Sequence, residues 1–347
     1  MRVEEFDYHL PDGYIAQEPI NPRDASRLLV LDRSSGRTEH RVFREIVSYL
    51  DPGDCLVLND TRVMRARLFG RHQDTGGRVE VFLLRPVEEG IWEVLVRPGR
   101  RARVGTTIIF GGGELKAEVL ERTDYGGRMV RFTCPSDGLG NLDEALKGYG
   151  EVPLPPYIKK PLQDAERYQT VYADAQKEKS VAAPTAGLHF TRRLLRQLQA
   201  RGVRMARVTL HVGLGTFRPV QVEKVEDHRM HEEFYSLDQE ACDLINLTRK
   251  ENKRVVAVGT TVVRTLETVG REGGELVPGH GSTDLFIYPG YHFRVVDALV
   301  TNFHLPRSTL LMLVCAFAGR GQVLSAYQEA VREGYRFYSF GDAMLIL

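Results

Sequence analysis

At six places in this sequence, residues able to move protons, hold anions or stack on bases stand where a strand or helix pattern ends. The first is LNDTRV, where Asn59, Asp60, Thr61 and Arg62 close the apolar run CLVLND. In open α/β sheets ligands gather beyond the carboxyl ends of strands, so these four are candidates for holding a ribose or an amine. A simple Asx turn is the alternative. The second is SVAAPTAGLHFT, residues 180–191. Pro184, Thr185 and Gly187 keep this stretch small enough for close backbone approach by a ligand, His189 follows, and Thr191 opens a helix whose free amides attract anions. A buried, hydrogen-bonded His189 is the competing reading.

The third is VTLHVGLGTFRPV, residues 208–220, with His211 on a strand and Gly213 and Gly215 after it. A dinucleotide fingerprint fails here: position 218 is Arg, and Pro219 stands where a helix would begin. A glycine loop against an adenine or ribose remains open. The fourth is RMHEEF, where His231 adjoins Glu232. Position 235 is Tyr, so the H-E-x-x-H zinc motif is absent, and acid–base work by Glu232 stands against a surface ion pair. The fifth is AVGTTVVRTLE: a strand, then Gly259, Thr260 and Thr261, then a helix. That geometry holds an anion such as a carboxylate on helix amides, although no G-x-x-x-x-G-K-[ST] loop exists. The sixth is DLFIYPGYHFRVVDALVTNFHLPRS, carrying Phe286, Tyr288, Tyr291 and Phe293, then Asn302, Phe303 and His304 at the end of a strand. The aromatics read either as base-stacking surfaces or as a core cluster. Asn302 and His304 belong at the same sheet end as the other sites.

Strands and helices must bring these groups together. CLVLND and RVVAVG are apolar on both faces, as in strands covered on both sides. Thr191 predicts a helix with Leu194, Leu195 and Leu198 on one face and Gly202 at its end. Ser236 and Gln239 have capping-box spacing before a helix at 237–252, VFREIVSYLDPGD reads as a helix, and STLLMLVCAFAG as an apolar one. Alternating strands and helices predict a parallel or mixed sheet with helices on both faces. From about 61 to 135 the texture differs. Segments such as RVEVFLLR, IWEVLVRP and RMVRFTC alternate with glycine-rich turns, which predicts a small antiparallel barrel or sandwich inserted over 61–150. Residues 136–187, rich in Pro and Gly, read as irregular exposed chain lying over a site.

Across 347 residues, 47 basic side chains balance 46 acidic ones, which rules out a basic tail or an acidic disordered protein. The charge is uneven: residues 61–133 hold 14 basic and 9 acidic side chains. The turn RPGRRAR places Arg100, Arg101 and Arg103 together, as phosphate ligands or as a solvated loop. Cys55, Cys134, Cys242 and Cys315 form no C-x-x-C pair and fit reduced thiols, so no metal centre is expected. The apolar run Leu310–Ala318 falls short of the roughly 20 residues a membrane span needs, and MRVEEFDYHLP lacks a signal-peptide core. A cytoplasmic protein without membrane contact is expected.

At these same residues the sequence resembles the S-adenosylmethionine:tRNA ribosyltransferase-isomerase family of queuosine biosynthesis. The matching blocks include DYHLPDGYIAQEP, LVLNDTRV, GEVPLPPYI, ERYQTVYA, SVAAPTAGLHFT, VTLHVGLGTFRPV, MHEEFY, GTTVVRTLE and FIYPGYHFRVVDALVTNFHLPRSTLLMLVCAF. They run nearly end to end. The resemblance implies an α/β fold: an α/β/α sandwich body from residues 1–60 and 151–347, with an inserted small antiparallel β-barrel at 61–150. It also implies a reaction in which S-adenosylmethionine is a consumed substrate, not a cofactor. Its ribosyl part passes to 7-aminomethyl-7-deazaguanine at the wobble position of a tRNA, giving epoxyqueuosine and releasing adenine and methionine. Such chemistry needs a base, an acid and a dry cleft. His211 and His304 are the first candidates, then Glu232, with His189 and Asp60 in reserve. Two rival expectations are an RNA methyltransferase, which would yield S-adenosylhomocysteine, and a non-catalytic RNA-binding protein.

Overall fold

A computed structural model of the chain describes residues 1–123, 126–134, 142–213 and 220–347. It divides into two compact units, Met1–Arg62 with Pro155–Leu347, and Val63–Leu154.

The first unit is built on a nine-stranded mixed sheet. Its centre is four parallel strands in the order Arg204–Leu210, Cys55–Asn59, Val255–Val258 and Ala298–Asn302. Beyond Ala298–Asn302 come Ala343–Ile346 (antiparallel), Arg27–Leu31 and Thr38–Val42. On the other side Glu233–Leu237 and Gly279–Thr283 continue it antiparallel.

Successive residues of a strand face opposite sides, and here both sides are apolar. Cys55 and Val57 join a core shared with the helices Gln239–Lys250, Thr260–Val269, Thr309–Ala318 and Arg320–Arg332. Leu56 and Leu58 join a second core with Phe43, Ile46, Phe190 and the helix Arg192–Ala200. The expected α/β/α layering follows from that double burial.

Thr191 caps its helix as expected, accepting from the Leu194 amide at 3.1 Å. Three local expectations are corrected. Asp238, not Ser236, caps the helix Gln239–Lys250, accepting from the Ala241 amide at 2.8 Å, because Ser236 is still within the strand Glu233–Leu237. The stretch after Val42 forms a 3₁₀-helix, Phe43–Tyr49, whose three-residue period stacks Phe43 and Ile46 on one buried side. The chain from Tyr168 to Phe190 is largely buried instead of exposed. Its amides find partners close at hand: Val181 donates to the Val212 carbonyl at 3.0 Å and Gly187 to Pro184 at 2.9 Å.

The second unit holds a closed six-stranded antiparallel barrel. The sheet runs Arg67–His72, Arg78–Glu88, Ile91–Arg97, Arg128–Thr133, Leu115–Arg122 and Thr107–Phe110, and the last pairs back with the first through Arg71–Ile109 and His72–Ile108. Closure requires a glycine at position 70, where a Cβ would stand 2.7 Å from the Ile109 carbonyl oxygen. Among the described residues, no single helix is long and apolar enough to cross a membrane.

Candidate active site

The four parallel strands end at Leu210, Asn59, Val258 and Asn302, and residues at or just beyond three of these ends, Val212, Gly259 and His304 among them, line one cleft of the first unit. Its empty space, open mouth included, is about 640 Å³. Pro184 and Thr185 come to it from the buried 180–190 segment, Gly259, Thr260 and Thr261 from a helix start, and Asn302 and His304 from the strand end. Gly259 has φ +91°, a left-handed value that favours glycine and turns the chain from strand into helix.

His304 is buried and lines this cleft. Its Nε2 is hydrogen-bonded to Thr301 Oγ1 at 2.7 Å, and its backbone N–H donates to the Tyr327 hydroxyl at 3.1 Å. Burial lowers its pKa to about 3, so the ring is neutral at physiological pH.

Behind the cleft runs a hydrogen-bonded chain. Thr185 Oγ1 donates to Asn302 Oδ1 at 3.1 Å, and Asn302 Nδ2 donates to the Tyr338 carbonyl at 3.1 Å. That orientation makes the same amide nitrogen the donor to His189 Nε2 at 3.1 Å, so His189 keeps its proton on Nδ1, 2.8 Å from Ser26 Oγ. His189 also stacks on Phe43. Burial first, then Arg336 and Arg23, holds its pKa at about 3. Both ring nitrogens are committed, so His189 braces Asn302 and the Thr185 segment.

A second cluster stands at the neighbouring strand ends. Asn59 is wholly buried: Nδ2 donates to the Leu210 carbonyl at 3.0 Å and to Thr261 Oγ1 at 3.2 Å, while Oδ1 accepts from the Leu210 amide at 3.1 Å. It bolts two strands to the helix start. Asp60 accepts from Lys177 Nζ at 2.6 Å and Thr209 Oγ1 at 2.8 Å. Thr61 Oγ1 is hydrogen-bonded to His211 Nδ1 at 2.8 Å. Burial, with Lys179 and Lys177 nearby, lowers the His211 pKa to about 4. Arg62 pairs with Glu166.

Other candidates lie elsewhere. Gly187 faces Tyr172, whose hydroxyl would stand 2.0 Å from any Cβ there. Glu232 is exposed, whereas the next residue, Glu233, is buried, pairs with the buried Arg264 and accepts from the Gly213 amide at 2.9 Å. Tyr288 and Tyr291 pack on the helical core, and Tyr291 donates to the buried carboxylate of Glu267, which also accepts from the amides of Arg294, Val295 and Val296. Arg100, Arg101 and Arg103 belong to the second unit; Arg100 and Arg103 are exposed, and Arg101 donates to the Arg78 carbonyl at 2.7 Å. Gly215 lies outside the described residues. Sequence reasoning missed Tyr157, Tyr168 and Tyr338, all of which line the cleft. The first two stand in GEVPLPPYI and ERYQTVYA, whose irregular chain gave no sign of where they point. Among the described residues no three His, Cys, Asp or Glu side chains converge as a metal site would need.

The buried histidines set a pH dependence of stability. Unfolded, each titrates near 6.5, and folded near 3, so between these values only the unfolded chain takes up the proton. Stability from this source is complete above about pH 6.5 and falls as pH drops towards 3. Denaturant unfolding at about pH 7 and pH 5 is expected to show His189→Gln losing less stability than wild type on acidification, by up to about 1.4 kcal/mol per pH unit. Parallel losses in the two proteins would contradict it.

The chain matches the model of the family described as Queuosine biosynthesis protein over residues 3–346. Relatives named S-adenosylmethionine:tRNA ribosyltransferase-isomerase are 59% identical in Moorella thermoacetica, 57% in Acetivibrio thermocellus and 54% in Desulforamulus reducens, each match covering 100% of both chains. A crystal structure of S-adenosylmethionine tRNA ribosyltransferase from Thermotoga maritima is 46% identical, with a TM-score of 0.57, covering 99% of this chain and 100% of that one.

Proposed function

Since this chain belongs to the queuosine biosynthesis protein family and is an enzyme of the ribosyltransferase-isomerase kind, we propose that it transfers the ribosyl moiety of S-adenosylmethionine to 7-aminomethyl-7-deazaguanine at the wobble position of a tRNA. Isomerisation yields epoxyqueuosine-tRNA, with adenine and methionine released, in the cytoplasm. The observation that carries this reading is a cleft at the parallel strand ends, which joins a helix N-terminus to a buried neutral imidazole.

The roles follow from charge. The amides at Thr260 and Thr261 suit the methionine carboxylate. A sulfonium acidifies the neighbouring 5′ carbon, and His304, neutral, takes that proton. The transfer moves a positive charge within the cleft instead of creating one, which offsets the cost that burial imposes on an imidazolium. Adenine then leaves, the amine on the RNA base attacks the anomeric carbon, and the epoxide closes as methionine departs. His211, hydrogen-bonded to Thr61 beside the Asp60–Lys177 pair, is the second proton carrier. Thr185 faces the nucleoside, and Asn302 holds Thr185 in place.

Incubation with S-adenosylmethionine and tRNA bearing the aminomethyl base is expected to give free adenine and methionine by mass spectrometry. S-adenosylhomocysteine as the product would identify a methyltransferase instead, and an untouched donor a binding protein. The exposed arginines of the barrel are proposed RNA contacts. Replacing Arg100, Arg101 and Arg103 together by alanine should weaken tRNA binding and reduce the slope of log affinity against log salt by about 2–3. An unchanged slope would remove them from the RNA surface.

A further inference from the structure

Three tyrosines line the cleft, and the acid–base chemistry uses none of them. Tyr157 and Tyr338 meet edge to face with ring centroids 4.0 Å apart, and the Tyr157 hydroxyl is hydrogen-bonded to Ser339 Oγ at 2.6 Å. Tyr168 is 0% exposed. Its hydroxyl makes no hydrogen bond of standard geometry among the described residues, although the Ala183 backbone and the Ser339 side chain are close enough to act on it by hydrogen bonding.

Tyr338 has φ +75°, an unfavourable value for an aromatic side chain. It is imposed from three directions: its N–H donates to the Phe303 carbonyl at 3.0 Å, and its carbonyl accepts from Gly341 at 2.9 Å and Asn302 Nδ2 at 3.1 Å. Backbone strain of this sort persists where surroundings enforce it, and it clusters at ligand sites. Asn302 thus fixes both the Thr185 segment and the placement of the Tyr338 ring.

The lining has a second property. Among the described residues it contains no Asp or Glu. A cation entering it must be held by neutral groups, and the negative faces of aromatic rings are the strongest of these. We infer that Tyr157 and Tyr338, backed by the buried Tyr168, form the seat of the sulfonium of the ribosyl donor, holding it on ring faces without a counter-carboxylate. This rests on the reading of S-adenosylmethionine as substrate. It also suits the chemistry: a carboxylate at the sulfur would partly cancel the charge that acidifies the 5′ carbon, whereas ring quadrupoles bind the cation and leave most of that field intact.

The test is calorimetric binding of S-adenosylmethionine and of S-adenosylhomocysteine, its neutral thioether, to wild type and to the Leu and Phe variants of Tyr157 and Tyr338. Wild type should favour the sulfonium roughly 3–30-fold, the range that cation–aromatic contacts supply. Tyr157→Leu and Tyr338→Leu should bring the ratio close to unity, chiefly by weakening the sulfonium, and the Phe variants should retain it. Equal loss of both ligands in the Leu variants would overturn the seat. So would a wild type that binds both ligands equally, a result that needs no variant to fold. A wild type that releases adenine yet shows no preference rejects only the seat; one that neither binds nor consumes S-adenosylmethionine rejects the ribosyl-transfer reading itself.

Discussion

Replacing His304 with alanine is expected to lower adenine release at saturating substrates by roughly 10²–10⁴, the usual cost of losing a general acid or base. The ring lines the cleft, is buried, and is fixed through Thr301. With a pKa near 3 it is already in its base form throughout the physiological range, so the rate should show no protonation step of His304 between about pH 5 and 8. The loss should appear in kcat, with S-adenosylmethionine affinity nearly unchanged, because the ring acts on the proton in flight. His211→Ala should also impair turnover, by less if His211 serves the later proton. Near-normal turnover in both folded variants would remove the acid–base assignment.

Arg264→Met is expected to destabilise the first unit by about 3–5 kcal/mol, because it strands the Glu233 carboxylate inside the protein. The pair is nearly solvent-free, with side-chain exposures of 6% and 5%. Arg264 also donates to the carbonyls of Leu285 at 3.0 Å and Thr283 at 3.1 Å, so it ties an edge strand and the aromatic loop to the helix after Gly259. Removing both charges, with Arg264→Met and Glu233→Leu together, should recover much of the loss, since an apolar pair escapes the desolvation cost of two ions. Denaturant midpoints of the two variants decide it. A single variant within about 1 kcal/mol of wild type would mean that water reaches the pair after all.

Much of the body was readable before any coordinates. The runs CLVLND and RVVAVG had no polar face, so each had to be covered on both sides. The glycine-punctuated β segments announced a small closed sheet, and Thr191 announced its helix. The expected cleft members Pro184, Thr185, Gly259, Thr260, Thr261, Asn302 and His304 do meet at one place, because each stands where a core strand or a buried turn ends. The partners of these residues were not readable. Asn59 looked like a ligand contact and is a bolt between strands; Tyr288 and Tyr291 looked like stacking surfaces and rest on the core around Glu267.

The choice between Glu232 and Glu233 marks the boundary most sharply. Adjacent residues with identical side chains have identical local chemistry, so sequence gives no ground to prefer either. Strand pairing decides: Glu233 sits opposite Thr283 and turns inward to Arg264, and a register shifted by one residue would send Glu232 inward instead. Composition and periodicity thus determined which segments are strands, helices and turns, since those depend on local burial and backbone preference. Which polar side chains became buried partners, and the left-handed backbone of Tyr338, were decided by contacts between segments far apart in the chain.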